Sequence, residues 1–181
     1  MKNVLIILCL LLTLSISAQE PNKIRINKTK EEVLQRLEKE DIRTARISDL
    51  EYEKDTLLLL IGENLLAMHN EVRAKNNVAP LVLNEKLNLA AQRHAEDMFK
   101  KNFRSHTGKN GSTFTSRAKK AGYKSAFSGE NIAWGQNSIT EVIAAWVDSP
   151  GHFRNMISGD FKDVGFGYCN GIWVAVFGRQ K

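Results

Sequence analysis

The chain has 181 residues and a mass of 20.4 kDa, which fits one domain of ordinary size with some extra. Apolar residues make up 43% and charged residues 25%, a balance that excludes wholesale disorder and is enough to bury a core without metal or disulfide staples. A net charge of +6 allows an acidic partner but is too mild to imply nucleic acid, and two cysteines exclude a disulfide-rich scaffold.

Residues 1–18 read as a secretory signal peptide. Lys2 supplies the positive start, residues 4–14 form the apolar stretch, and Ser15-Ile16-Ser17-Ala18 supplies small residues for cleavage before Gln19. An uncleaved anchor is the alternative, but the apolar stretch is short for a membrane span. Cleavage removes Cys9 and leaves Cys169 alone, so no internal disulfide forms in the exported chain. Cys169 sits in a strand pattern and reads as a small buried hydrophobe. No other run is long enough to span a bilayer, so the expected location is secreted, periplasmic or envelope, with no transmembrane span after cleavage.

Residues 19–60 form a charged leader, helical or linker in character. Thr29-Lys30-Glu31-Glu32 and Ser48-Asp49-Leu50-Glu51 are capping-box patterns that each predict a helical stretch. A domain is expected over residues 61–181. Leu65, Leu66, Met68, His69, Val72 and Arg73 predict a helix ending near Asn76-Asn77, and Pro80-Leu81 marks a break. Asn84 caps a strong helix whose Leu87, Ala90, Ala91, His94, Ala95 and Met98 share one face. A polar stretch with glycines at 108, 111 and 122 follows. Ser138-Ile139-Thr140-Glu141 opens a further helix, which Ser149-Pro150-Gly151 ends. Residues 164–169 and 172–177 alternate with period two around Asn170-Gly171, a strong hairpin signal, because both central residues of a type I′ turn need positive φ. Helices first and antiparallel strands last predict an α+β domain with helices packed on a sheet.

The four histidines fall into two pairs. His69 and His94 lie on helix faces and read as packing and hydrogen-bonding residues. His106, in Ser105-His106-Thr107-Gly108, and His152, in Ser149-Pro150-Gly151-His152, are placed in turns, where function concentrates. Between them, Glu130 stands between Gly129 and an apolar run, and a carboxylate there needs partners because burying a lone charge is costly. Two histidines and a glutamate also make up a common catalytic zinc set, although His-Glu-x-x-His spacing is absent. A polar hydrogen-bonded cluster is the equal alternative. Ser116-Arg117-Ala118-Lys119 matches Ser-x-x-Lys, but the companion motifs of that enzyme class are missing, and no Gly-x-Ser-x-Gly elbow exists.

These segments together resemble the CAP superfamily of cysteine-rich secretory proteins, venom antigens and plant pathogenesis-related proteins, and most closely its bacterial, SCP-like branch. The resemblance covers about residues 62–179. It rests on an ordered set: Met68-His69-Asn70-x-x-Arg73; Pro80-Leu81; Ala90-Ala91-Gln92-x-His94-Ala95-x-Asp97-Met98; Ser105-His106-Thr107-Gly108; Gly129-Glu130-Asn131-Ile132-Ala133; Trp146-x-x-Ser149-Pro150-Gly151-His152-x-x-Asn155-Met156-Ile157; and the glycine-rich terminal hairpin. It implies an α-β-α sandwich with an antiparallel central sheet and a cavity that commonly holds two histidines and two acids. His106, Glu130 and His152 match three of the four positions. Ser149 stands where the second acid falls, with Asp148 only a neighbour. The resemblance therefore implies a binding cavity of His106, Glu130, Asn131, Ser149 and His152. His106, Glu130 and His152 are the catalytic candidates, and zinc is a candidate cofactor at His106 and His152.

Two functional readings follow. One is an exported, non-catalytic binding module with a small ligand, apolar or polar, in a His/Glu-lined cavity. The other is a metal-assisted hydrolase or peptidase acting on cell-wall or extracellular substrate, which would need a metal-bound water because no nucleophile is evident. A third feature is compositional: residues 100–124 carry eight Lys and Arg and no Asp or Glu. That run reads either as a solvated face or as a site for an anionic envelope surface. Stacking aromatics are sparse there, and export argues against nucleic acid.

Overall fold

The computed structural model describes residues 47–180. The signal peptide, the Thr29 capping box and the leader up to Arg46 lie outside the described residues. Where the sequence predicts separate helical stretches after Ser48 and after Glu63, one helix, α1 (Ile47–Lys75), runs through both. Ile61, Leu65, His69 and Arg73 recur every fourth residue and are all buried, which is the helical spacing of a single inward stripe. The helix stops at Lys75, and Asn77 then takes φ +57°, a conformation that Asn tolerates better than most residues. Asn70 clamps the returning chain at Leu81, donating to its carbonyl at 3.0 Å and accepting from its N–H at 2.8 Å.

A two-residue strand, β1 (Val82–Leu83), precedes α2 (Glu85–Lys100). Asn84 caps α2 as expected, its side chain accepting from the N–H groups of Lys86 and Leu87. The polar stretch contains a short helix that the sequence reading left out, α3 (Phe114–Lys120), capped reciprocally by Thr113 and Ser116. Then come β2 (Ser125–Trp134), α4 (Ile139–Asp148), α5 (Pro150–Met156), β3 (Asp163–Cys169) and β4 (Ile172–Gln180). Pro150 does not simply end α4. It occupies the first turn of α5, where its missing N–H costs nothing, so His152 is helical rather than in a turn.

The strands form one sheet in the order β1-β3-β4-β2. β3–β4 and β4–β2 are antiparallel, and Asn170 and Gly171 take φ +48° and +76° in the hairpin turn, as a type I′ turn requires. The sheet is mixed rather than wholly antiparallel, because β1 pairs parallel with β3 through Val82–Asp163 and Leu83–Val164. β1 is reached from α1 by a connection, not a hairpin, so nothing forces it to run antiparallel.

Alternation along the strands sorts the core into two layers. Phe166, Tyr168, Trp173, Ala175 and Phe177 face α1, α4 and α5, with Trp146 and Met156. Ile132, Ile172, Val174 and Val176 face α2 and α3, with Leu87, Ala91, Ala95 and Ala118. This is the α-β-α sandwich. On the α2 side, β3 presents Gly165 and Gly167. A Cβ on Gly165 would lie 2.1 Å from the backbone of Leu87 and Asn88, and one on Gly167 would lie 2.4 Å from Ala91. Glycine therefore lets helix and strand backbones touch. That contact has a second consequence. β1 covers only the start of β3, and the N–H groups of Phe166 and Tyr168 beyond it are satisfied by the side chains of Asn88 and Gln92, both at 2.9 Å. Two side chains one turn apart on α2 replace the missing strand. Among the described residues, no helix is long and apolar enough to cross a membrane.

Candidate functional site

Glu130 lies in β2, paired with Val176 of β4. β2 is an edge strand, so groups from both helical layers can meet around it. By alternation Glu130 faces the α2/α3 layer with Ile132, and Asn131 faces the other. The Glu130 side chain is wholly buried, and both carboxylate oxygens are engaged. Oε1 accepts from His106 Nδ1 at 2.9 Å, and Oε2 accepts from Arg117 Nη2 at 2.7 Å. A Cβ on the preceding Gly129 would lie 2.9 Å from the Phe161 ring, so glycine is what lets this part of β2 seat against Phe161.

The loop carrying His106 is held from both flanking helices. His94, buried on α2, donates from Nε2 to the Ser105 carbonyl at 2.9 Å. Arg117 on α3 donates to the His106 carbonyl at 3.0 Å and to the Ser112 carbonyl at 2.8 Å. Arg104 adds a bond to the Phe103 carbonyl at 2.7 Å. His106 itself keeps 53% of its side chain exposed. Because Nδ1 donates to Glu130, a neutral His106 carries its free lone pair on the exposed side, at Nε2.

His152 lies on α5, close enough to His106 for a second imidazole charge to be disfavoured. Burial, and then the neighbouring His106, push His152 below the usual imidazole range. Asn131 does not present a free amide to this site. It is fully buried, donates to the His152 carbonyl at 3.0 Å and accepts from Asn155 at 2.8 Å, and Asn155 in turn donates to the Glu130 carbonyl at 3.3 Å. Asn131 therefore positions α5 against β2. Ser149 is the junction between α4 and α5 and makes no side-chain capping bond. The structure thus joins His106 to Glu130 directly and sets His152 nearby. Sequence reasoning missed Arg117, which lay in the basic run and in a Ser-x-x-Lys match set aside as chance. The signal that could have found it was the requirement that Glu130 have partners.

The donor set decides what metal would fit. Among the described residues, no group of three or more His, Cys, Asp or Glu is disposed to hold a metal ion. Glu130 already satisfies a histidine and a guanidinium, one on each carboxylate oxygen. A three-ligand hydrolytic centre does not fit. His106 and His152 are the imidazoles that remain, and Glu130 orients His106 as carboxylates orient metal-binding histidines. Cys169 plays no part: it is half-buried, and burial followed by Glu96 pushes its thiol up to about 11.

Comparison with known proteins places the chain. Residues 66–176 match the model of the CAP, or cysteine-rich secretory protein, family. The chain is 32% identical over 117 residues to YkwD of Bacillus subtilis, covering 64% of this chain and 46% of that protein. It is 26% identical over 126 residues to the membrane protein YlbC of the same organism, covering 70% and 36%. The chain thus spans less than half the length of these relatives. Its fold is similar to an extracellular, SCP-domain protein from Bacillus anthracis, with TM-score 0.68, 22% identity, and coverage of 71% and 43% of the two chains. It is also similar to an outer surface protein of Borrelia burgdorferi, with TM-score 0.62, 26% identity, and coverage of 66% and 92%. By its family match and its sandwich of helices on a four-stranded sheet, the chain belongs to the CAP, or cysteine-rich secretory protein, family.

Proposed function

We propose that this protein is an exported, non-catalytic binding module whose recognition site is the His106–Glu130–His152 edge of β2. The observation that carries the reading is the double engagement of Glu130. A carboxylate held by an imidazole and a guanidinium is not offered as a general base or as a metal ligand. No hydrogen bond links a serine or cysteine to either histidine in the described residues, so an activated nucleophile has no support. Glu130 and Arg117 instead form a buried scaffold that fixes the exposed imidazole of His106. His106 and His152 would hold zinc weakly, and the metal would supply a Lewis-acid position for a ligand donor. The extracellular and outer-surface descriptions of the two structural neighbours support export beyond the cytoplasm.

Calorimetry of zinc binding to the exported chain and to the His152→Ala variant tests the site. Weak binding that is lost in the variant is expected, and equal binding by both would overturn the two-histidine assignment. Assay against peptide and peptidoglycan libraries tests the absence of catalysis. Hydrolysis that disappears with Glu130→Gln, in a variant still folded by circular dichroism, would replace the binding reading with the metal-assisted hydrolase.

A further inference from the structure

A concave feature lies beside Arg117, between α2 and α3. The groove between α2 and α3 has a volume of about 570 Å³. Its lining includes Arg93, His94 and Asp97 from α2, Asn110 from the connecting loop, and Arg117 and Lys120 from α3. Arg117 and Lys120 are three residues apart on α3 and so share a face. The single carboxylate, Asp97, is already paired with Lys101. Arg93 and Lys120 are exposed and have no hydrogen-bond or ion-pair partner among the described residues. Arg117 uses both terminal nitrogens on Glu130 and on carbonyls, while its Nε is buried without a hydrogen-bond partner.

We propose that the α2/α3 groove is a binding site for a phosphoryl oxyanion, held by Arg93 and Lys120 against the wall that Arg117 helps to form. Glu130 balances Arg117 and Lys101 balances Asp97, so Arg93 and Lys120 remain as two unbalanced cations, which a dianionic phosphate ester matches better than a monovalent carboxylate does. The Arg93 guanidinium presents planar, paired donors that fit a tetrahedral oxyanion, and Lys120 adds a point charge. The free amide of Asn110 is a further donor, since only its Oδ1 is engaged, by Ser112 N–H. Of the rest of the basic run, Lys119 and Lys124 are exposed outside the groove lining, and the other four are engaged elsewhere. Lys100 and Lys101 pair with Glu96 and Asp97, Arg104 binds carbonyls, and Lys109 lies over the Phe103 ring. The anionic partner suggested by the run is therefore assigned to one groove rather than to the whole face. This site uses neither His106 nor His152 as a ligand, although Arg117 borders both places.

The phosphoryl group could belong to a soluble ester or to a lipid headgroup, and the test has an arm for each. Inorganic phosphate and glycerol phosphate are titrated into the isotopically labelled exported chain at low salt, and amide shifts are followed. Phosphatidylglycerol vesicles are tested by co-sedimentation against phosphatidylcholine vesicles. Shifts centred on residues 93–97, 110 and 117–120 are expected, and the Arg93→Gln/Lys120→Gln variant should bind about tenfold or more weakly, the loss of roughly one charge-assisted bond. Lys119→Gln/Lys124→Gln, which removes equal charge outside the groove, should bind as the parent does. His152→Ala should also bind normally, so failure here is distinct from failure of the histidine site. Sedimentation with phosphatidylglycerol assigns a headgroup, and glycerol-phosphate binding without it assigns a soluble ester. Absence of groove shifts, or equal losses in the two lysine-containing double variants, would overturn the proposal.

Discussion

Two regions of this molecule each bury an arginine beside a histidine, and they use them in opposite ways. At the end of α1, Arg73 is wholly buried and donates to four backbone carbonyls: Ala79 at 2.7 Å, Met156 at 2.8 Å, Ser158 at 2.9 Å and Phe161 at 3.3 Å. Its neighbour His69 is enclosed by Trp146, Phe166 and Phe177. At the edge of β2, Arg117 holds a carboxylate, and the histidine on that carboxylate keeps half its surface in solvent. The first pair is satisfied by carbonyl dipoles from segments far apart in sequence, so it ties the fold and leaves nothing for a ligand. The second keeps an exposed imidazole and borders a groove. Burial of the arginine alone therefore does not distinguish structure from function; what its donors reach, and whether its histidine stays exposed, does.

The sharpest break of this comparison is Arg73→Met. The side chain volume is roughly kept, but four carbonyls lose their donor where Arg73 is buried, and the loss should cost about 3–5 kcal/mol in urea unfolding. A loss below about 1 kcal/mol would mean that the carbonyls find water and that Arg73 is not the tie described.

His69 gives the next largest effect, read as pH dependence. Its Nδ1 donates to the Leu65 carbonyl at 2.8 Å, and Nε2 is buried without a hydrogen-bond partner. Burial above all pushes its pKa from 6.5 to about 4. The unfolded chain therefore takes up a proton that the folded chain refuses, and stability present at neutral pH is lost as pH falls from 6.5 towards 4. A drop of that size corresponds to roughly 3 kcal/mol. His94, also pushed down first by burial, acts in the same direction. His69→Leu should flatten the profile across this window, and an unchanged slope would assign it to other groups.

The same contrast explains what could be read without coordinates. His94 was legible as a packed histidine because its helix face is apolar throughout, and the hairpin was legible because Asn170-Gly171 demands one backbone geometry. The order of motifs carried the fold. Glu130 could be singled out because a carboxylate between Gly129 and an apolar run has to find partners. Arg117 could not, since it is one of eight cations in a run without an acid and its pairing with Glu130 exists only once α3 packs on β2. α3 itself was missed because its capping box uses Ser116 in place of Glu or Gln. α5 was missed because Pro150 can both follow one helix and begin another. β1 was missed because two residues carry no period. In each case the deciding contact is tertiary.

Coupling between Glu130 and Arg117 sharpens the comparison at a smaller scale. Glu130→Gln leaves Arg117 facing a neutral amide, and Arg117→Gln leaves a buried carboxylate with only His106. Each should cost about 2–3 kcal/mol, while the double variant should cost clearly less than the sum, with a coupling of about 1–2 kcal/mol. Additive losses would mean that the two side chains support the site independently. Because Arg117 also holds the His106 carbonyl, hydrogen exchange in residues 105–112 should rise in Arg117→Gln more than in Glu130→Gln.

The smallest expected effect tests the functional side of the contrast. His152 is only partly buried, and its place on α5 is fixed through its backbone carbonyl, which accepts from Asn131 whatever the side chain. His152→Ala should therefore change stability by no more than about 0.5 kcal/mol. The α5 backbone keeps its bond to Asn131, and Asn155 keeps its bond to the same amide. If the variant also loses metal or ligand binding, the side chain serves recognition and not packing. If it unfolds as readily as an Arg73 variant, His152 belongs with the buried pair, and the exposed edge of β2 reduces to His106 alone.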